Sequence, residues 1–594
     1  MLSSDKVSLL VPSEMLNFHL YRLAFIPALL AAVIGAFSLG GIPSPLGTGA
    51  TTQVFDDAGA ISTAHKLIRI APDRAPGSDG DKAAADYVEQ RFKTITAGTV
   101  GTQTFDGPGD TGTLENVLVT LPGNSEKTIV LLAGRDSDRV PGAASSAAAT
   151  ALLIEVAEEL GGSEHSATLI LVSVDGSTDG SAGTRQLFAG LADRNSIAAV
   201  INISQPGAKE RKQPLLVSSS AGASSPSAQL VETAAALLGT EGRGETTREG
   251  ALGDLARLAF PTGLGEQAPL IADGFDAITL TSAGEPPLPP SSDGEDALGK
   301  ESLADVGRAA IALVGAIDQS DSLEHGPRAY VNFAGNLVPG WSLALLALAL
   351  LIPPLAVGAE EIARQSRRAQ GLRALGAWAA RVALPPLAAL GSIYALALLG
   401  VVPSPPFPFD PGPIGIGAAE LLALVFFVVL VGGVAYLERI WQTPNDCPRQ
   451  ALAAVGGLLG VLGCVVAWVA NPYLALLLAP IAHVWIAACR REQSRGFTLV
   501  IAAVTSIPIL AAIVATASAL DWGLSTPWQL VLLVADGQIG LAASLAFALA
   551  WASVTAALFA AAAPPAAPTP TRERPLPELS SDSPAMQPPV GTRG

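Results

Sequence analysis

Charge is scarce in this chain, and cysteine and histidine are scarcer. Only 15% of its 594 residues are Asp, Glu, Lys or Arg, while 49% are hydrophobic. Soluble domains carry about 25% charged residues, so much of this chain faces something other than water. There are three cysteines, Cys447, Cys464 and Cys489. None falls between 50 and 330, so no disulfide staples that stretch, whatever compartment holds it. All three lie in or near apolar runs, where cysteine usually serves as a small buried hydrophobe. Acids outnumber bases by 52 to 35, for a formal net charge of −17. Phosphate recognition needs a basic surface, which excludes nucleic acid as a partner. No G-x-S-x-G elbow with a credible His and Asp is present, and the Gly263–Gln267 stretch GLGEQ is too weak to be a nucleotide loop.

What the chain has instead is long apolar runs. The first, Leu23–Leu39, follows Arg22. A cleaved signal peptide is one reading. The length of the run and the lack of an A-x-A-like site after it favour a retained signal anchor over 23–41, just long enough to cross a bilayer with tilt. The later runs begin after Pro339, at 340–358, 382–402, 416–437, 451–470, 472–489, 497–519 and 538–562. Each is close to the ~20 residues that a spanning helix needs. Trp528–Ala535 is short and reads as an interfacial piece.

Arginines set an expected direction. Arg364, Arg367, Arg368, Arg373, Arg381, Arg439, Arg449, Arg490, Arg491, Arg495, Arg572 and Arg574 occupy alternate loops, and the loops between them carry no Lys or Arg. The positive-inside rule places the arginine-bearing loops in the cytoplasm. That predicts about eight spans in a cell membrane, both termini inside, and 45–335 outside. The expected units are a cytoplasmic N-terminus 1–22, the anchor 23–41, an extracytoplasmic α/β domain 45–320, a stalk 321–338, a seven-helix membrane domain 339–562, and a tail 563–594. The tail is rich in Pro, Ser and Thr and is expected to be disordered.

Between the first and second spans, strand-like and helix-like segments alternate. Helical spacing over Asp81–Thr94 puts Ala84, Tyr87, Val88 and Phe92 on one side. The apolar runs Thr128–Ala133, Ala167–Val174, Ala198–Ile203 and Ala277–Thr281 read as buried strands, with helices at Ala147–Leu160 and Ser302–Ile317. This pattern predicts an α/β domain with a mostly parallel sheet covered by helices, beside an all-α multi-span membrane domain. In such sheets, sites form at the carboxyl ends of strands. Those ends read AGRDSDRVPGA (Ala133–Ala143), VDGSTDGSAG (Val174–Gly183) and INIS (Ile201–Ser204).

These segments, in this order, resemble the zinc exopeptidases of metallopeptidase clan MH, which include leucyl aminopeptidases, glutamate carboxypeptidase and the transferrin-receptor ectodomain. RAPGSDGDKAAADYV (Arg74–Val88) and LENVLVTLPG (Leu114–Gly123) resemble the family's opening segment and first hairpin strand. Leu131–Leu160 resembles its first metal-binding strand, loop and helix. The resemblance covers about 250 residues and implies two zinc ions and a general base. Carried over residue by residue, it places the ligands on Gly134, Ser145, Thr178 and Ser204, the base on Ser177, and the last histidine near Gly284–Asp293. Asp136, Gly142, Asp175 and Gly176 keep the family's residues at the strand ends. Hydroxyls and glycine are poor zinc donors, and Ser177 cannot take a proton from a bridging water near pH 7. A zinc cofactor is therefore not expected.

Asp136, Asp138, Asp175 and Asp179 can be read as an oxygen-only site for Ca²⁺ or Mg²⁺, or as turn caps and solvated acids. Of the five histidines, His19, His65, His165 and His325 lie outside the apolar cores, and His483 lies within a span, where it is a functional candidate or a packed, bonded side chain. The leading expectation is a membrane-bound pseudo-peptidase. It would bind a peptide, protein or envelope ligand in the old cleft and assemble with lipid and membrane-protein partners. The alternative is a hydrolase of the same family with an altered site. A transporter is weakly supported, as the spans hold few ionisable residues beyond His483, Glu420 and Asp536.

Overall fold

The computed structural model describes residues 17–47, 54–137, 141–191, 193–212, 215–241, 250–367, 372–403, 449–488 and 495–562, with isolated positions between 417 and 436. Ten strands occur among them: β1 (Gly40–Gly41), β2 (Thr99–Asp106), β3 (Thr113–Leu121), β4 (Thr128–Gly134), β5 (Thr168–Val174), β6 (Ile197–Ile203), β7 (Leu216–Val217), β8 (Ala277–Leu280), β9 (Tyr330–Phe333) and β10 (Asn336–Pro339).

Seven of them form one mixed sheet in the order β2-β3-β5-β4-β6-β8-β7. The centre, β5-β4-β6-β8, is parallel, and β2, β3 and β7 add antiparallel edges. Sequence dictates that split. TIVLLAG of β4 is apolar through nearly its whole length and is buried on both faces, as a strand covered by helices on both sides must be. TVGTQTFD of β2 alternates, and its exposed positions face water. Helix Ala148–Leu160, rich in Ala, Leu, Ile and Val, lies almost wholly buried against the sheet with helices Asp57–Ile70 and Lys300–Gln319. Side chains start two of the covering helices. Asp56 accepts from Gly59 N, and Ser78 accepts from Asp81 N.

Six described helices are long and apolar enough to cross a membrane: Phe18–Phe37, Gly340–Arg364, Arg373–Leu398, Ala451–Ala470, Gly496–Ala519 and Leu541–Ala561. They suit a lipid bilayer. Helices Arg449–Ala470 and Leu541–Ala562 pack closely because glycine lines the contact. A Cβ on Gly456 would stand 2.6 Å from Ala556 Cβ, and one on Gly463 would stand 2.9 Å from Leu549 Cβ.

Two expectations are corrected. The run 472–489 does not form one spanning helix. It divides into helix Pro472–Leu478, a 3₁₀ segment Ala479–His483 and helix Val484–Ala488, because Pro480 lacks an N–H and the chain tightens around it. The supposed stalk 321–338 holds β9 and β10, which pair with β1 to form a three-stranded sheet at the foot of the α/β domain. Most of the expected span 416–437 and all of the tail 563–594 lie outside the described residues.

The two parts of the chain touch. Helix Ala251–Ala259 buries Ala256, Leu258 and Ala259 in one cluster with Val461, Leu474 and Ile509 of the apolar helices. Asn471 Nδ2 donates to the carbonyls of Leu258 at 2.7 Å and Ala259 at 3.2 Å, closing the carboxyl end of that helix. Lys212 and Asp521 pair at 3.5 Å. The arginine-free loops at 470–472 and 520–527 therefore lie on the side of the α/β domain.

Candidate functional site

Strands β4, β5 and β6 end side by side, and their carboxyl ends carry the residues read from sequence as degenerate ligands. Asp136 follows β4 and is 2% exposed. Its carboxylate reaches to the loop after β5. Ser177 N donates to Oδ1 at 2.8 Å, and Thr178 donates to Oδ2 from both N (2.8 Å) and Oγ1 (2.6 Å). Burial pushes the Asp136 carboxyl above its ordinary range, and the Thr178 donors pull against that. Asp136 thus serves as a clamp across two strand ends.

Gly134 has no room for a side chain. A Cβ there would lie 2.5 Å from Ser177 Oγ and 2.9 Å from Ser177 Cβ. Real Cβ atoms do not approach so closely, so Ser177 occupies the space a residue at 134 would use. Gly142 has φ +55°, and its Cβ would meet Ser146 Oγ at 2.5 Å and Arg74 Nη2 at 2.9 Å. Its left-handed turn starts the π-helical segment Ala143–Ala147, which leads into helix Ala148–Leu160.

Asp293 is a residue that sequence reasoning reached only as the edge of a window. It caps that same helix start. Ala144 N and Ser145 N donate to Oδ1 at 2.9 and 3.0 Å, and Ser145 Oγ bonds Oδ2. The degenerate ligand position Ser145 and the window assigned to the last histidine therefore do meet, through an acid instead of a metal. Ser204 follows β6, and its N–H donates to Leu280 O of β8 at 3.0 Å. Asp179 is half-buried and accepts from Thr111 Oγ1 at 2.6 Å. Asp138 lies outside the described residues.

Beneath these groups runs a buried ionic layer. Arg135 is fully buried and pairs with Asp81 through Nε at 2.9 Å and Nη2 at 2.6 Å. It also donates to Glu115 O at 2.8 Å and stands 3.5 Å from Asp175. Asp175 accepts from Glu115 N and Gly176 N, and so holds β3 against the end of β5. Arg74 donates to the carbonyls of Arg135, Ala71 and Pro141 and to Ser146 Oγ. Burial lowers its guanidinium to about 10, which still leaves it charged at neutral pH.

Burial pushes the Asp175 carboxyl up to about 8, and Asp81 adds to the rise while Arg135 opposes it. Asp136, Glu266 and Asp293 are shifted upward as well, each chiefly by burial. Acids with raised folded-state values bind protons on folding. The stability they contribute is complete below the unfolded value, near 4, and is lost as pH rises through the folded one. The melting temperature of the full-length protein should therefore fall between pH 5 and pH 8.5. A melting temperature that rose over that range would mean Arg135 holds Asp175 ionised throughout.

Sequence reasoning missed Glu266. It follows Gly265, which has φ +80°, in the GLGEQ stretch, and it is 4% exposed. Its carboxyl faces the hydroxyls of Ser177, Ser181 and Thr184, which pull its proton affinity down against burial. None of them is placed to bond Oε2, and Ser177 Oγ and Thr184 Oγ1 are likewise buried without a partner. Nothing in G-L-G-E-Q marks this glutamate, since only folding brings it to the strand ends.

His483 is far from this site. Its Nδ1 meets Tyr21 OH at 2.7 Å and its Nε2 meets Leu350 O at 3.1 Å. A carbonyl can only accept, so Nε2 carries the proton and Nδ1 accepts from the tyrosine. The ring also stacks on Phe25 at 5.7 Å. His483 thus ties the N-terminal helix to the bundle.

A mixed sheet with a parallel centre, helices on both faces and loops converging at the strand ends defines an α/β domain. Residues 116–257 match the model of Peptidase family M28. Similar solved structures include a glutaminyl cyclase from an Acidobacteriales bacterium (20% identity, 46% of this chain and 98% of that one, TM-score 0.36). BSAP, a zinc aminopeptidase from Bacillus subtilis, is 12% identical over 44% of this chain and 95% of its own, with a TM-score of 0.38. A leucine aminopeptidase precursor from Bacteroides thetaiotaomicron is 14% identical over 45% and 99%, with a TM-score of 0.34. A search of curated proteins finds no match.

Proposed function

We propose that the α/β domain is a pseudo-peptidase. It has lost the metal ligands and general base of its family, and it acts in binding or in membrane-complex assembly. The observation that carries this reading is the packing at Gly134, where Ser177 fills the space for a side chain. The donors at the strand ends do not fit zinc. Ser145, Thr178 and Ser204 offer neutral hydroxyls, and Asp293 is engaged by Ala144 and Ser145. Among the described residues, no three His, Cys, Asp or Glu side chains are grouped to hold a metal. The cleft then presents hydroxyls and backbone amides, suited to a polar peptide, protein or envelope ligand.

The test is peptidase activity of the purified full-length protein with added Zn²⁺, Co²⁺ or Mn²⁺, together with melting in the presence and absence of a zinc chelator. No turnover and an unchanged melting temperature are expected. Stoichiometric zinc and a clear drop on chelation would overturn the reading. A hydrolase with an altered site is the second reading, and it draws on Glu266 beside Ser177 Oγ. It predicts turnover that Glu266→Gln abolishes in a protein that still folds.

The same proposal sets 45–335 outside the cytoplasm and 359–381 inside, from the loop arginines. In a cysteine-free background, an impermeant thiol reagent on intact cells should label Ser163→Cys, an exposed turn position, and spare Ser366→Cys. The reverse pattern would invert the topology.

A further inference from the structure

A hollow of ≈ 120 Å³ lies at the edge strand β7, and it shares no residue with the strand-end cluster. Its walls come from four places: the serine-rich segment after β7, helix Ala228–Glu241, helix Ala251–Ala259 and strand β9. Two of these are anchored to the apolar helices. Helix Ala251–Ala259 is closed by Asn471, and β9 pairs with β10, which runs directly into helix Gly340–Leu350. The hollow therefore sits where the α/β domain meets the membrane-type part of the chain.

Its chemistry is dense in hydrogen-bonding groups. Glu232, Asp254 and Arg257 reach the lining, and each already has a partner. Asp254 accepts Asn332 N at 2.8 Å, and Arg257 donates to Glu285 at 2.7 Å. With acids and base engaged, the lining is matched poorly to a ligand that binds through net charge. An apolar ligand is matched no better, because Asn332 Oδ1 is buried and has no partner. Covering an unmet acceptor with hydrocarbon leaves it with no hydrogen bond at all, which is unfavourable.

Hydrogen-bonding capacity of both kinds remains. Burial, with Asp254 and Glu232 close by, keeps the Tyr330 hydroxyl protonated and so a donor. Asn332 Oδ1 accepts. A carboxylate has about four lone-pair sites, so one that is already paired still accepts from a hydroxyl. Val231 and Leu258 supply apolar wall. An enclosed cavity of about 150 Å³ holds one benzene ring; this hollow is smaller but open to solvent on one side, so it seats one face of a small ring and leaves the rest in water.

We propose that this hollow binds a small neutral polyol, a sugar or cyclitol ring, presented free in solution or as the headgroup of a membrane lipid.

The full-length protein in detergent is titrated calorimetrically with glucose, mannose and myo-inositol. In parallel it is melted in phosphatidylcholine nanodiscs with and without monoglucosyl diacylglycerol. Saturable binding is expected in at least one arm, and the arm identifies the source of the polyol. Asn332→Leu removes the side-chain acceptor and leaves the backbone bond to Asp254 intact. It should weaken that binding about tenfold, a change of about 1.4 kcal/mol, while the ligand-free melting temperature holds or rises. Tyr330→Phe should weaken binding without unfolding the protein. Binding in neither arm, equal affinity in Asn332→Leu, or binding of ethanolamine or inorganic phosphate in place of every polyol would overturn the proposal.

Discussion

Arg135→Met in the full-length protein is expected to destabilise the α/β domain by about 3–5 kcal/mol, the usual result of removing one partner from a buried ion pair. The guanidinium is fully buried and makes a two-point contact with Asp81. It also stands between Asp81 and Asp175, both nearly inaccessible to water. Without it, two carboxylates remain in low dielectric with no guanidinium bonded to them, and Glu115 O and Ser173 O lose a donor. Part of that cost falls away at acid pH, where Asp175 is protonated. Thermal melts at pH 5 and pH 8 measure both effects, and the deficit should be larger at pH 8. Equal deficits at both pH values would show that the lost packing of the arginine stem outweighs its charge.

Gly134→His, which puts a histidine where the sequence resemblance implies the first zinc ligand, is expected to destabilise the domain and to bring no metal. The new Cβ would lie 2.5 Å from Ser177 Oγ. Overpacking of this kind costs about 1–3 kcal/mol. The variant should melt lower than the parent, with the deficit unchanged by Zn²⁺. Gly134→His with Ser177→Gly should recover most of the loss, since the clash is between those two positions. Zinc-dependent recovery in the single variant would show that enough donors remain at the strand ends to hold a metal, and the pseudo-peptidase reading would fall.

Periodicity made much of the fold legible. Apolar runs of six or seven residues, rich in β-branched residues and bounded by polar turns, fit strands covered on both faces, and Thr128–Gly134, Thr168–Val174 and Ile197–Ile203 are such strands. The spanning helices were legible for the same reason, because length and hydropathy alone decide which segments suit a bilayer. Where proline interrupts an apolar run the reading failed. Composition over 472–489 is that of a span, but Pro480 breaks the helix into three pieces. The strands at 330–339 were missed because each is four residues long, and β10 gains its second partner from Gly40–Gly41, almost 300 positions away.

For the strand-end site, the sequence by itself determined which residue types stand at each position, and therefore that Gly134, Ser145, Thr178 and Ser204 bring no charge to it. Residue identity is local, and zinc chemistry follows from it. Only the tertiary structure decided what those positions do instead. Asp136 clamps the loop after β5, Asp293 caps the helix that begins at Ala143, Glu266 arrives from a loop with no distinguishing pattern, and Ser177 closes the space beside Gly134. Each of these contacts joins residues 41 to 149 positions apart. No local period or spacing encodes such pairings. They arise because a buried carboxylate must find donors wherever the packed chain provides them.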